Sequence, residues 1–475
     1  MEEVIAYGLQ QLGYTNIRAN QKSVVEGYLS GKDVFFCSST GSGKSLTFEI
    51  APFVQSYQRD SNILPKICCI VVSPLVSLMK SQEKSLLSRG VKALYLSDLD
   101  SKISNHHVLS EVLKGQYNIL LSSPESILGH YRNIVSELTK KNLLGSIFID
   151  ESHCIRKFGQ MSSATKQPAF RPLYGKLGEL RSLAGPEVPV IALTATATLE
   201  TQQLIKQCLC MAHCIDVISS PNKLNIRYAV HQVKSDNVRE NFGWLIKLLR
   251  EHDKEAPRII IFFRKVDHMA TVYKHARAEL ENDTHATYGK EGISLMDMFH
   301  MKTPDSVKDS ICKSFQDGNS LLRVVLCTTS FSMGLDVKGV DTVVHYGPSN
   351  DIEDYIQETG RAGRDPNQNC HAIIVKYKRC TGSKNITKSM KEFLLSSTCR
   401  RKKLIRSFTT EEHIPSPNPI HNCCDVCSEV CKCQCTCQNV CNCESVCNYE
   451  ESTVLKSMLE APKEETSSDA SDSST

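Results

Sequence analysis

Short apolar runs recur along the chain, each closed by small or polar residues, with longer mixed stretches between them. Val34-Phe35-Phe36-Cys37 is the first. Ile67-Cys68-Cys69-Ile70-Val71-Val72 then runs into Ser73-Pro74, and Ile119-Leu120-Leu121 into Ser122-Ser123-Pro124-Glu125. Ile147-Phe148-Ile149 meets Asp150-Glu151-Ser152-His153, and Pro189-Val190-Ile191-Ala192-Leu193 meets Thr194-Ala195-Thr196. Runs of this length bounded by turn signals read as buried strands, and the stretches between them as helices. Such a βαβ series predicts a parallel sheet that gathers ligands beyond the carboxyl ends of its strands. The rhythm restarts near Pro221, with strands expected at Arg258-Ile259-Ile260-Ile261-Phe262-Phe263, Val324-Val325-Leu326-Cys327, Thr342-Val343-Val344 and Ala372-Ile373-Ile374-Val375. The fold class expected is α/β: two tandem parallel-sheet domains at 1–218 and 219–380, then a small helical module at 381–430. A cysteine-rich segment (431–449) and an acidic, disordered tail (450–475) follow, the tail holding seven acids against two lysines.

Composition changes this picture in one place. At 475 residues, with 41% hydrophobic and 23% charged residues, the chain is ordinary, and a net charge of +4 does not by itself point to nucleic acid. The start, Met1-Glu2-Glu3, does not resemble a signal peptide, and no apolar run is long enough to span a bilayer, so an intracellular protein without membrane partners is expected. Of 22 cysteines, eleven crowd between Cys399 and Cys447. In an intracellular chain a cluster of that kind points to metal, and the scattered remainder to small buried residues.

Between the first strand and the helix expected from Lys44 lies Ser38-Ser39-Thr40-Gly41-Ser42-Gly43-Lys44-Ser45. A loop without bulky side chains aims backbone N–H groups at an anion, and the helix N-terminus adds its dipole. Thr40, Gly41, Ser42 and Gly43 would cradle phosphates, Lys44 would reach the β/γ-phosphates, and Ser45 would ligate Mg²⁺. Ser38 stands where the strict phosphate-loop pattern has glycine. Asp150-Glu151, 106 residues after Lys44 on the end of an apolar strand, supplies the partner such a loop needs. The aspartate would hold Mg²⁺ and the glutamate would orient or deprotonate water. In the second domain, Gln357-Glu358-Thr359-Gly360-Arg361-Ala362-Gly363-Arg364-Asp365 sets two arginines three apart on one side of a turn, suited to contacting phosphates.

Taken in order, Thr40–Ser45, Ser73-Pro74-Leu75-Val76-Ser77-Leu78-Met79, Ser123-Pro124-Glu125, Asp150–Ile155, Leu193–Ala197, Ser332-Met333-Gly334-Leu335-Asp336 and Gln357–Asp365 resemble the motif set of RecQ-family DNA helicases across roughly residues 8–430. The resemblance implies two RecA-like domains, ATP-driven movement along single-stranded DNA in the 3′→5′ direction, forked or branched DNA as partner, and a zinc module after the second domain. It assigns Arg18 and Gln21 to the adenine base, and a catalytic role to His153 beside Lys44, Asp150, Glu151, Arg361 and Arg364. Gly334, Asp336 and Gln357 would contact the nucleotide, and Ser73, Pro74, Ser123, Phe158 and Arg171 the nucleic acid. Phe158 stands where the family usually has tryptophan and Ala169 where it has aspartate, with extra residues (Met161–Gln167) between them.

For zinc, Cys399, Cys424 and Cys427 are joined by either His421 or Cys423. His421 is favoured, because adjacent cysteines rarely point at one ion and imidazole is a sound ligand. The basic run Arg400, Arg401, Lys402, Lys403 and Arg406 is expected to meet DNA phosphates. The function expected is an ATP-dependent 3′→5′ DNA helicase acting in the nucleus in repair, recombination or replication, with ATP, Mg²⁺ and Zn²⁺ as cofactors. The rivals are a DNA-stimulated ATPase without efficient unwinding, and a non-enzymatic zinc-containing DNA-binding or annealing protein.

Overall fold

The computed structural model describes residues 1–59, 67–96, 105–160, 168–283, 294–317, 320–329, 337, 339–417, 420–431 and 452–460. They form two compact units, Met1–Asn222 with Leu404–Ile414, and Lys223–Lys403 with the described residues from Pro415 onward.

Unit 1 is built on seven strands: β1 (Val34–Cys37), β2 (Cys68–Val72), β3 (Ala93–Tyr95), β4 (Ile119–Ser122), β5 (Leu144–Ile149), β6 (Val190–Thr194) and β7 (Ile215–Ile218). All pair in parallel, in the order β3-β4-β2-β5-β6-β1-β7. The central strands are buried along their whole length, which is why they read as unbroken apolar runs. Successive residues serve opposite faces: Phe35 and Cys37 join one apolar cluster, Val34 and Phe36 the other.

Unit 2 holds six parallel strands: β8 (Ile226–Gln232), β9 (Ile259–Phe263), β10 (Met296–Phe299), β11 (Val324–Cys327), β12 (Thr342–Tyr346) and β13 (Cys370–Lys376), ordered β10-β11-β9-β12-β13-β8. The strands absent from the sequence reading are β3, β7, β8 and β10, and all four are edge strands. An edge strand is half-covered, so polar residues such as Asp216 and Asp297 interrupt its pattern.

One expectation is corrected. The acidic tail is not wholly without structure, since Thr453–Glu460 is a helix. It lies on the helix Gly243–His252, with Val454 and Met458 in the core of unit 2 and Lys247 Nζ 3.2 Å from Glu460 Oε2. An apolar stripe outweighs the acidic composition there. Within the module expected at 381–430, Leu404–Ile414 group with unit 1 and the other described residues, the cysteines among them, with unit 2. Residues 432–451 and 461–475 lie outside the described residues. Among the described residues no helix is long and apolar enough to cross a membrane.

Candidate functional site

The loop after β1 takes the conformation its glycines permit, with Gly41 and Gly43 in the left-handed region at φ 81° and 75°. A Cβ on Gly43 would also lie 2.6 Å from Gln21 Nε2. Gln21 is buried and spends its carboxamide on this loop, donating to Ser42 O (3.1 Å) and Gly43 O (2.8 Å) and accepting from the Arg18 N–H (2.9 Å). Arg18 donates to Gly41 O at 3.3 Å. The two residues assigned to the base therefore brace the phosphate loop as well. Lys44 Nζ donates to Ser38 O (2.8 Å) and Ser39 O (3.3 Å), and Ser45 opens the helix Ser45–Glu49.

Three neighbouring strand ends, β5, β6 and β1, are stitched together around this loop. Ser38 N–H donates to Thr194 O (3.1 Å) and Ser152 N–H to Leu193 O (2.8 Å). Glu151 is held at φ 46°, an uncommon conformation for a residue with a side chain, and its N–H donates to Asp150 Oδ1 (2.9 Å). His153 is buried, its Nδ1 3.1 Å from Thr194 Oγ1 and 3.2 Å from Glu151 Oε2. Thr194 donates its own hydroxyl to Thr196 O (2.9 Å), so it accepts from His153 and the proton sits on Nδ1. Burial first, then the charge of Glu151, pushes Asp150 up to about 7. Burial would raise Glu151 too, but the hydrogen bond and charge of His153, with Lys44, outweigh it and hold Glu151 down to about 2. The two shifts run in opposite directions, and a cation bound at Asp150 would displace its proton. The hydroxyl of Ser45 and the carboxylate of Asp150 are the hard oxygen donors that Mg²⁺ takes.

In unit 2 the helix Ile352–Thr359 carries Gln357 and ends at Gly360, leading into the turn with Arg361 and Arg364. Arg361 is buried and Arg364 half-buried. Beside them Glu358, which sequence reasoning left without a role, is 2% exposed and meets His345 Nε2 at 2.9 Å and the Ser349 hydroxyl at 2.6 Å. A 190 Å³ cavity at the carboxyl ends of β9, β11 and β12 is lined by Arg264, Thr328, Thr329, Asn350 and Asn385, among others. Arg264, placed directly after an apolar strand, carries the same signal that marked the first domain, a polar residue beyond a strand's carboxyl end. Gly334 and Asp336 lie outside the described residues.

The nucleic-acid candidates differ from one another in placement. Ser73 and Ser123 are 0% and 8% exposed. Ser73 N–H donates to Ser122 O (3.0 Å), and Ser123 Oγ caps the helix Pro124–Leu128 by accepting from Ser126 N (3.2 Å). Pro74 is buried, and its carbonyl accepts from Arg171 Nη1 at 2.8 Å. The rest of the Arg171 guanidinium pairs with both carboxylate oxygens of Glu125, with Nε at 2.8 Å from Oε1. Phe158 is half-buried. It packs against the core, 5.9 Å from the Tyr174 ring and 5.6 Å from that of Phe170. Phe170 is the ring on the surface, 78% exposed. Met161–Gln167 lie outside the described residues.

The cysteine cluster corrects the fourth ligand. Sulfurs of Cys399, Cys423, Cys424 and Cys427 all lie within 4.8 Å of one another, with Cys399 and Cys423 at 3.5 Å, and His421 is not in the set. Adjacent cysteines reach one point here because the chain turns between the 3₁₀ turn Ile420–Asn422 and the helix Asp425–Cys431. Four sulfurs about 3.8 Å apart are what a tetrahedral Zn²⁺ with Zn–S near 2.3 Å requires. Hydrogen bonds from Cys423 and then Cys424 lower Cys399 below the usual thiol range. The basic run is corrected too. Arg401 is fully buried, and Arg400 pairs its Nε with Asp425 Oδ1 at 2.5 Å. Lys402, Lys403 and Arg406 remain on the surface.

With this geometry in view, residues 18–205 match the DEAD/DEAH box helicase family and residues 240–366 the helicase conserved C-terminal domain. The chain is similar to the ATP-dependent DNA helicase RecQ of Haemophilus influenzae, at 29% identity over 87% of this chain and 62% of that protein. It is 32% identical to the probable ATP-dependent DNA helicase RecS of Bacillus subtilis over 75% of this chain and 63% of that one. The chain thus spans less than two thirds of the length of these relatives. Among solved structures, the DUF1998 helicase MrfA bound to DNA and AMPPNP superposes with a TM-score of 0.59 at 17% identity, covering 78% of this chain and 50% of that one. The DEAD-box helicase Mss116 bound to ssRNA does so at 0.56 and 17%, covering 90% and 80%. At those identities the shared property is the fold, two RecA-like parallel-sheet domains.

Proposed function

We propose that this chain, a homologue of the RecQ helicases carrying a DEAD/DEAH box helicase domain and a helicase conserved C-terminal domain, is an ATP-driven DNA helicase that moves 3′→5′ along single-stranded DNA. The observation that carries the reading is the joining of the phosphate loop to Asp150, Glu151 and His153 through neighbouring strand ends of one sheet. Lys44 leaves the carbonyls of Ser38 and Ser39 for the β/γ-phosphates, a change from partial to full negative charge. Ser45 and Asp150 would hold Mg²⁺, which when bound would supply positive charge to the phosphates. Glu151 would orient the water and take its proton, and His153, 3.2 Å from Glu151 Oε2 and hydrogen-bonded to Thr194, holds the glutamate in place. Arg361 and Arg364 contribute the cations that stabilise the transferred group. Cys399, Cys423, Cys424 and Cys427 would hold Zn²⁺ in a structural role, since four cysteine ligands would complete its coordination.

Forked or branched DNA is the proposed substrate, and nuclear DNA repair or recombination the setting. The test is ATP turnover with and without single-stranded DNA, followed by unwinding of forks bearing a 3′ or a 5′ loading strand. Stimulated turnover with unwinding from the 3′ strand alone is expected. Stimulation without unwinding leaves a translocase, and DNA binding with no turnover replaces the enzyme by an annealing protein.

A further inference from the structure

We propose that Lys223 is a positioning residue for hydrolysis: its ammonium fixes the backbone on both sides of Arg361, so that the guanidinium is held where the reaction uses it. This rests on the reading that Arg361 acts on the phosphates.

Lys223 Nζ donates to Gly360 O at 2.8 Å and to Ala362 O at 3.0 Å, the carbonyls immediately before and after Arg361. Gly360 closes the helix Ile352–Thr359, whose last carbonyls have no partner within the helix. A cation there meets the negative end of the helix and satisfies two acceptors at once. The location is costly for a lysine. Burial, with the charges of Arg364 and Arg361, lowers Lys223 to about 8. A hydrocarbon side chain would avoid that cost, but it would leave both carbonyls unpaired and the turn free to shift.

The lysine is itself anchored. Arg401, fully buried, donates through Nη1 to Lys223 O at 2.7 Å and through Nη2 to Ile226 O, with its guanidinium carbon 5.1 Å from the centre of the Tyr228 ring. Two residues on, Asn225 Nδ2 donates to Asp365 O (2.8 Å) and Gln368 O (3.0 Å), holding the far side of the same turn. Gly363, at φ 63° and with Asn225 side-chain atoms 3.0 Å from where a Cβ would lie, lets the turn approach this strap. The segment entering β8 therefore works as a splint for the arginine turn.

The test uses the full-length zinc-loaded chain and measures ATP turnover at saturating single-stranded DNA, KM for ATP, DNA affinity and Tm. Lys223→Met is expected to lower kcat between about tenfold and a hundredfold, the scale of a misplaced catalytic group, with KM and DNA affinity unchanged. Lys223→Arg, which restores charge and donors, should recover most of that loss. In an Arg361→Ala background Lys223→Met should cost nothing further, because the group it positions is gone. Parental kcat in Lys223→Met beside an inactive Arg361→Ala overturns this inference and leaves the proposed function standing. Losses that multiply in the double variant overturn it in the same way. Full turnover in Arg361→Ala overturns the hydrolytic reading of the turn and this inference together. Should Lys223→Met not fold, Lys223→Gln replaces it, and parental kcat in that variant is equally fatal.

Discussion

Arg171 grips Glu125 through two points of its guanidinium and gives a third N–H to the carbonyl of Pro74, so three segments far apart in sequence meet on one side chain. Glu125 and Arg171 are 42% and 23% exposed, which makes the pair worth only about 0–1 kcal/mol to folding. Glu125→Gln should therefore change Tm little. It should lower the ratio of ATP turnover with single-stranded DNA to turnover without it, since the loop bearing Phe170 loses its tie to the strand ends. An unchanged ratio would reduce the pair to a surface ornament.

Phe170 and Phe158 should respond in opposite ways. Phe170→Ala removes an exposed ring and should weaken single-stranded DNA binding by ~1–3 kcal/mol, the worth of one stacked base, at little cost in stability. Phe158→Ala opens a partly buried contact with Tyr174 and should destabilise by roughly 2–3 kcal/mol, below the value for a fully buried ring. Phe158→Trp should overpack rather than restore a DNA platform. Fluorescence anisotropy with a labelled oligonucleotide, beside thermal melts, separates the two residues.

Lys44→Ala should reduce hydrolysis by about 10²–10³-fold through loss of the phosphate-binding cation. Glu151→Gln should keep ATP binding while slowing turnover by roughly 10²–10⁴-fold, because the water loses its base. Nucleotide binding is read with a fluorescent ATP analogue and turnover by phosphate release. Parental turnover in either variant removes that residue from the site.

Cys423→Ser should release zinc and destabilise unit 2, where Tyr228 N–H donates to Cys423 O at 3.4 Å and Val230 N–H to Asp425 Oδ2 at 3.0 Å. His421→Ala should retain the metal. Metal analysis of the two purified variants decides it: zinc kept in Cys423→Ser and lost in His421→Ala would return the fourth ligand to the histidine. A chelator strong enough to strip zinc should lower Tm in the parent and have no further effect on Cys423→Ser.

The central strands and the phosphate loop were legible in sequence because buried parallel strands must be apolar on both faces, and an anion-binding turn needs glycine at set positions such as Gly41 and Gly43. Both are local demands, so local pattern carries them. Edge strands such as β7 and β10 are covered on one side only, and their mixed composition looks like loop. Which thiol completes a cluster depends on how the chain turns between Cys423 and Cys424, and spacing along the sequence is silent on that. Arg401, expected among the cations that meet DNA phosphates, proves fully buried against the carbonyls of Lys223 and Ile226, partners about 175 residues away in sequence. Phe158 and Phe170 are both aromatic residues in one short stretch, and only packing against Tyr174 decides that the first is spent inside and the second stands on the surface. Chemistry confined to a few consecutive residues is written in the chain; which long side chain faces water and which a distant carbonyl is settled by the fold, because only there do the desolvation cost and the compensating partner meet.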